Sequence, residues 1–334
     1  MQNDTLTNKF HQNIIITPEH AGKRVDAVIS ELLVDFSRSQ IQKWIKQGTV
    51  LVNGLPTKSK IILVGDEEIQ IEVEILPTNE WIAEDISLNI IFEDDHIIVI
   101  NKPANMVVHP GAGNMTGTIS NALLWYNEDQ KNLPRAGIVH RLDKDTTGLM
   151  VVAKSSIAYH SLVKQLSERT VTRKYIAIVE GDIYEDGKIN EPIGRDPSNR
   201  IKMAVNHKGK EAITNYTPYN NYEGFTLIEC RLETGRTHQI RVHMKSIKHP
   251  IIGDQTYNKA SNRLELLDIE SFPRQALHAY SLSFNHPVTE EAVSYTIDLP
   301  QDMQELCEKL EDRLDDGLDD IDFNDDYEND LDEN

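Results

Sequence analysis

Cysteine is nearly absent: Cys230 and Cys307 are the only two in 334 residues, and no C-x-x-C pair occurs. That excludes a disulfide framework and a cysteine zinc site. Long apolar runs are missing too, none approaching the roughly 20 residues of a membrane span, so no membrane partner is expected. Met1 to Gln12 lack a basic and then apolar leader, and the expected location is the cytoplasm. There is no H-E-x-x-H, and His238 and His243 stand five apart, not the four that put two ligands on one helix face. The glycines of Val107 to Asn114 are not followed by G-K-[ST] at Walker spacing. Neither a metal nor a small-molecule cofactor is expected.

Positive charge is in the minority, 34 Lys and Arg against 54 Asp and Glu, and the net of −20 argues at first against a nucleic-acid partner. Its distribution reverses that inference. Sixteen acids and two bases follow Pro300, so −14 belongs to this tail and −6 to everything before it. Phe36 to Gly65 hold no acid, while Arg38, Lys43, Lys46, Lys58 and Lys60 supply five positive charges. Charge alone leaves two readings, a solvated helix face or a phosphate-binding surface. Gly194 to Lys210 read as a loop-rich hairpin in which Arg195, Arg200, Lys202, Lys208 and Lys210 face only Asp196, a further set of candidate phosphate contacts.

The length implies two domains with an ample core in the larger. Residues 1–16 read as a flexible polar arm that enters a strand at Ile14-Ile15-Ile16. Val25, Val28, Ile29, Leu32 and Leu33 recur at helical spacing. Ser37 and Gln40 form a capping-box pair for a second helix that buries Ile41, Trp44 and Ile45 and stops at Gly48. Asn53-Gly54 marks a hairpin, and Ile69, Ile71 and Val73 alternate on a later strand. Pro77 to Trp81 read as a linker. A hairpin around Glu93-Asp94-Asp95, helices from Ile119 and from Ser155 or Ser156, and strands over Thr170–Val179 and Thr226–Leu232 follow. Residues 304–334 are too acidic for a core and are expected to be disordered, apart from a short helix near Leu306 to Leu314.

The densest polar stretch is Gly137-Ile138-Val139-His140-Arg141-Leu142-Asp143-Lys144-Asp145-Thr146-Thr147-Gly148, entered from an apolar pair and closed by Leu149 to Ala153. It reads as a loop presented between strands. On these residues alone Asp143 is a nucleophile, a general base, or half of a structural ion pair with Arg141. The stretch resembles the active-site motif of the RluA-type pseudouridine synthases. So do R-K-Y-x-A at Arg173 to Ala177, G-R-T-H-Q-I-R-V-H-M at Gly235 to Met244, and R-Q-A-L-H-A at Arg274 to Ala279. Ser37 to Gly54 resemble the S4 RNA-binding domain, over about residues 17–76. Thr147 departs from the more frequent Ser of the family's T-S-G.

The resemblance implies an α+β chain with an S4 domain at 17–76, a linker at 77–81 and a catalytic domain at 82–303 whose mixed, mostly antiparallel sheet is flanked by helices. It implies isomerisation of uridine to pseudouridine, with 23S ribosomal RNA or a large-subunit precursor as partner and a monomer as the default. Asp143 takes the nucleophile's position, Tyr175 stacks on the target base, and Arg241 pairs with Asp143. A guanidinium fork would hold that carboxylate in one rotamer. Arg141 is the candidate to fill the stack left by a flipped nucleotide, His140 neighbours it in the substrate pocket, and Leu277 packs beside Tyr175 under the base. Asp145 falls where the family pattern is tolerant. Two other readings stand against this one. A non-catalytic S4-type binding protein would not need Asp143, Tyr175 and Arg241 together, and a glycoside hydrolase would need a second carboxyl about 5–10 Å from Asp143.

Overall fold

The computed structural model describes residues 8–33, 36, 38–75, 81–111, 113–199, 202–258, 264, 269 and 271–319. Ser37, Arg200, the linker positions 77–80 and the tail after 319 lie outside the described residues. The chain divides into two compact units, Met1–Ile82 with Lys131–Pro134, and Ala83–Gln130 with Arg135–Asn334.

In the first unit, strands β1 (Asn8–Ile15), β2 (Val50–Val52), β3 (Leu55–Pro56) and β4 (Glu68–Ile75) pair in the order β1-β4-β2-β3. Helices α1 (Val25–Leu32) and α2 (Arg38–Gln47) share a core with them, in which Val28, Ile29, Ile41, Trp44, Val50 and Ile69 are buried. Asn53 and Gly54 both take positive φ, 51° and 76°, as a two-residue hairpin turn of matching twist requires, and join Val52 to Leu55. The N-terminal arm differs from expectation: β1 begins at Asn8 and pairs with β4 from Asn8↔Ile75 to Ile15↔Glu68. Phe10 and Ile14 point to the same side and pack on the core, an alternation concealed by the polar residues between them.

The second unit contains β5 (Ile90–Glu93), β6 (Ile97–Lys102), α3 (Ile119–Tyr126), β7 (Thr147–Ala153), α4 (Ser156–Ser167) and β8 (Thr172–Glu180). It continues with β9 (Gly187–Asn190), β10 (Ile193–Arg195), β11 (Met203–Val205), β12 (Ile213–Asn221), β13 (Phe225–Leu232) and α5 (Gln239–Ser246). The last elements are β14 (Leu277–Asn285), β15 (Ala292–Thr296) and α6 (Gln301–Asp319). Among the described residues a nine-stranded sheet runs β5-β6-β7-β14-β8-β13-β12-β9, with β15 beside β14. Its pairings are antiparallel except that of β7 with β14. β7 is buried along its whole length, as a central strand covered on both faces is. Ala158 and Leu162 of α4 join Leu149 and Val151 in one core, and the Ser155 hydroxyl caps that helix.

Gly148 has φ 117°, and a Cβ there would stand 2.3 Å from the Ala279 carbonyl oxygen. The backbones of β7 and β14 approach closely because no side chain intervenes. At the C-terminus the short helix expected near Leu306 to Leu314 is present but longer, and the chain does not lose order at 304. It continues through α6, which buries Met303, Leu306 and Leu310 at helical spacing while its other positions carry the acids. Three apolar anchors suffice for a helix whose composition alone reads as disorder.

Candidate active site

Three adjacent central strands and one helix converge on a single cleft of about 530 Å³. Asp143 lies in the loop that feeds β7, Leu277 opens β14, Tyr175 stands on β8, and α5, which follows β13, contributes Arg241. All four line the cleft, as do Arg141 and His140. The lining also includes Arg135, Arg173 and Arg236, so five arginines face one carboxylate, Asp143. A chain of net −20 thus keeps a strongly cationic hollow, fit for an anionic ligand of which one part must meet a carboxylate.

Asp143 pairs with Arg241, as the resemblance implied, rather than with its sequence neighbour Arg141: Nη1 of Arg241 donates to Oδ2 at 2.9 Å. The remaining edge of the guanidinium is taken by Asp254, with Nε at 2.7 Å from Oδ2 and Nη2 at 2.9 Å from Oδ1. The side chains of Asp254 and Arg241 are 1% and 7% exposed, and that of Asp143 is 14% exposed. Burial works against the Arg241 charge, but the hydrogen bonds from Asp254 and the charge of Asp143 outweigh it and hold its pKa above the usual value. Burial raises the Asp254 carboxyl, and Arg241 together with the N–H groups of Thr256 and Tyr257 brings it below the ordinary range. Asp254 therefore acts as a fixed clamp, and the more exposed Asp143 is the partner that a ligand can reach. Burial pushes the Tyr175 phenol up, so this ring enters the cleft neutral.

The loop that carries Asp143 is held from several sides. Lys102 is fully buried at the end of β6, and its Nζ donates to the carbonyls of Pro103, Met106 and Lys144 at 2.7, 2.9 and 2.8 Å. Burial pushes its pKa down to about 7, against the opposing pull of Asp145 and Asp143. Arg274 bonds the Asp145 carbonyl at 3.2 Å and clamps Asp302 of α6 through Nε at 2.7 Å and Nη2 at 2.8 Å. His140 accepts the Val151 N–H through Nε2 at 3.1 Å, so one ring nitrogen serves the loop rather than a ligand. Thr147, the unusual residue in its motif, bonds His278 Nδ1 through its hydroxyl at 2.7 Å.

Sequence reading passed over Asp254 and Lys102. The signals were there in retrospect: Ile251-Ile252-Gly253-Asp254 places an acid directly after an apolar pair and a turn, and Lys102 closes an apolar strand. A charged residue in such a position is either exposed or held by distant partners, and local pattern does not say which.

In the first unit Lys43, Lys46, Lys58 and Lys60 are exposed, as a phosphate-binding surface needs. Arg38 is exposed as well and also holds a carboxylate. Its Nη2 bonds Asp26 at 2.8 Å, and Arg24 and Gln42 complete the capture of that fully buried carboxylate. Burial raises the Asp26 carboxyl, but the bonds from Arg38, Arg24 and Gln42 more than offset this and keep it charged. Lys202 likewise donates to the Thr256 carbonyl at 2.7 Å, so it ties the β10–β11 hairpin down.

The RNA pseudouridylate synthase family model matches residues 96–246, and the S4 domain model matches residues 23–68. The chain is 49% identical over 296 residues to ribosomal large subunit pseudouridine synthase D of Neisseria meningitidis serogroup A, covering 86% of this chain and 79% of that protein. With the protein of the same name from Vibrio parahaemolyticus it shares 47% over 308 residues, 89% of this chain and 95% of the relative. The solved structure of human RNA Pseudouridylate Synthase Domain Containing 4 aligns with a TM-score of 0.53 at 25% identity, over 67% of this chain and 93% of that one.

Proposed function

This chain belongs to the RNA pseudouridylate synthase family and is an RNA isomerase, and we propose that it converts specific uridines of large-subunit ribosomal RNA to pseudouridine with Asp143 as the reacting carboxylate. The observation that carries this reading is the Asp143–Arg241 pair, set in an arginine-lined cleft beside Tyr175 and Leu277. The names of the relatives support the choice of RNA. We assign the RNA grip to the first unit and the chemistry to the second. No helix among the described residues is long and apolar enough to cross a membrane, and we propose a cytoplasmic monomer that works without a small-molecule cofactor.

A uridine within folded RNA hides its glycosidic bond, so the nucleotide must first be flipped out, at a cost of a few kcal/mol in stacking. Arg141 is exposed at the cleft and is the side chain that takes the vacated place. Tyr175 and Leu277 hold the extruded uracil, a stacked aromatic contributing about 1–3 kcal/mol. Asp143, aimed by Arg241, promotes breakage of the bond between uracil N1 and C1′. The base turns while trapped, C5 joins C1′, the C5 hydrogen leaves as a proton, and N1 takes one up. Lys43, Lys46, Lys58 and Lys60 bind phosphates, which fixes register without reading sequence.

Asp143→Asn tests the assignment: single-turnover formation of pseudouridine should vanish while RNA affinity stays within a few-fold of wild type. Undiminished turnover in that variant refutes it.

A further inference from the structure

His238 stands at the N-terminus of α5 with φ 57° and ψ 23°, a left-handed backbone that is costly for a residue other than glycine. The turn around it is over-determined. Gln239 accepts the Arg236 N–H at 2.9 Å and the Thr234 hydroxyl at 2.8 Å, and donates to the Ile213 carbonyl at 2.9 Å. Strain held this firmly at a cleft wall directs attention to what the side chain does there.

The ring nitrogens have distinct surroundings. Nδ1 lies 2.9 Å from the Tyr257 hydroxyl, and that same hydroxyl oxygen accepts the Met203 N–H at 2.9 Å. A backbone N–H can only donate, so the phenol already has its donor and uses its own proton on His238 Nδ1. The opposite arrangement would leave the proton of a Tyr that is 7% exposed without an acceptor. Burial lowers the pKa of His238, partly countered by Asp143, so the ring is neutral and its proton sits on Nε2. Nε2 is 3.9 Å from Asp143 Oδ1, too far for a hydrogen bond, while Arg241 occupies Oδ2. The cleft therefore contains an oriented N–H donor beside the reacting carboxylate that the carboxylate does not use.

We propose that His238 Nε2–H donates a hydrogen bond to a carbonyl oxygen of the uracil as the base detaches from the sugar. This rests on the reading of Asp143 given above. When the N1–C1′ bond breaks, its electron pair leaves with the uracil and spreads onto N1, O2 and O4. His238 stabilises that charge without giving up its proton. That pair is used when C5 bonds to C1′, and the C5 proton then departs to solvent while N1, freed of its bond to the sugar, takes up a proton from solvent, so the product is a neutral isomer. A fixed donor at such a position lowers the barrier because it is already oriented before the charge appears.

Full-length protein and [5-³H]uridine-labelled 23S ribosomal RNA provide the test, with Asp143→Asn as control. His238→Asn tolerates the left-handed backbone but is too short to reach, and it should lower the single-turnover rate by about 10²-fold with RNA affinity unchanged. His238→Gln, whose amide nitrogen extends to the Nε2 position, should recover at least part of that loss. Tyr257→Phe, which removes the hydrogen bond that Nδ1 accepts, should slow the step several-fold. A wild-type rate in His238→Asn, a loss that Gln does not relieve, or a loss expressed as weaker RNA binding overturns the proposal. If Asp143→Asn stays active, the reading of the site fails first; if it is inert while His238→Asn turns over normally, only this inference falls.

Discussion

Arg241 serves two carboxylates of unequal burial, and the inequality defines their roles. Asp254 takes two bonds from the guanidinium in the interior, and Asp143 takes one at the cleft surface. A buried cation that loses one partner keeps its desolvation cost, and breaking such a pair typically costs about 3–5 kcal/mol. Asp254→Asn should therefore lower stability by about 3 kcal/mol and, by freeing Arg241 to tilt, reduce turnover at least about tenfold with little change in RNA affinity. Urea unfolding and single-turnover kinetics check the two halves; unchanged values in both would show that Asp254 does not position the pair. The Asp143–Arg241 partnership was legible because both residues lie inside resemblance-bearing motifs. Asp254 was not, because what makes it functional is a partner thirteen residues away across a turn, visible only once the chain is folded.

At the scale of elements, the cleft depends on how closely β7, β14 and β8 stand, since each delivers or precedes one of its residues. Gly148 permits the parallel approach of β7 to β14. Gly148→Ala would force a Cβ into the Ala279 carbonyl at an unfavourable φ, and should destabilise by more than about 2 kcal/mol, read from the denaturant midpoint. A loss below about 0.5 kcal/mol would mean that the strands can part without cost. Elements with strong local signals were legible from sequence: α2 from its buried Ile41, Trp44 and Ile45, the β2–β3 hairpin from Asn53-Gly54, and β8 from its β-branched and aromatic run. β1 and α6 were read too short because their few apolar residues are spaced among polar or acidic ones, and only the core they meet makes the spacing count.

For the whole molecule, several histidines are buried or half-buried and neutral around the Asp143 loop and the cleft. Burial lowers His140 to about 3, with Arg173 adding to it, and lowers His109 and His278 to about 4, with nearby arginines adding to both. Unfolding returns each to about 6.5, so the unfolded chain binds more protons than the native one between those values. The stability that these histidines contribute should accordingly be full above about pH 7 and fall as the pH drops from about 6.5 to 5, by on the order of 1 kcal/mol per histidine, before most carboxylates titrate. Denaturant midpoints at pH 7.5 and 5 measure this, and a flat profile would contradict the neutral assignments. The charge of the chain is likewise organised at this scale: acids gather after Pro300, while arginines line the cleft and exposed lysines mark the first unit. Isomerisation of uridine in large-subunit ribosomal RNA, the activity proposed for this arrangement, must expel the hydrogen at C5. Tritium release from [5-³H]uridine-labelled 23S ribosomal RNA, set beside transfer RNA labelled in the same way, tests it most directly. Release from the ribosomal RNA alone is expected; release from transfer RNA alone would contradict the substrate, and release from neither, despite tight binding, would contradict the chemistry.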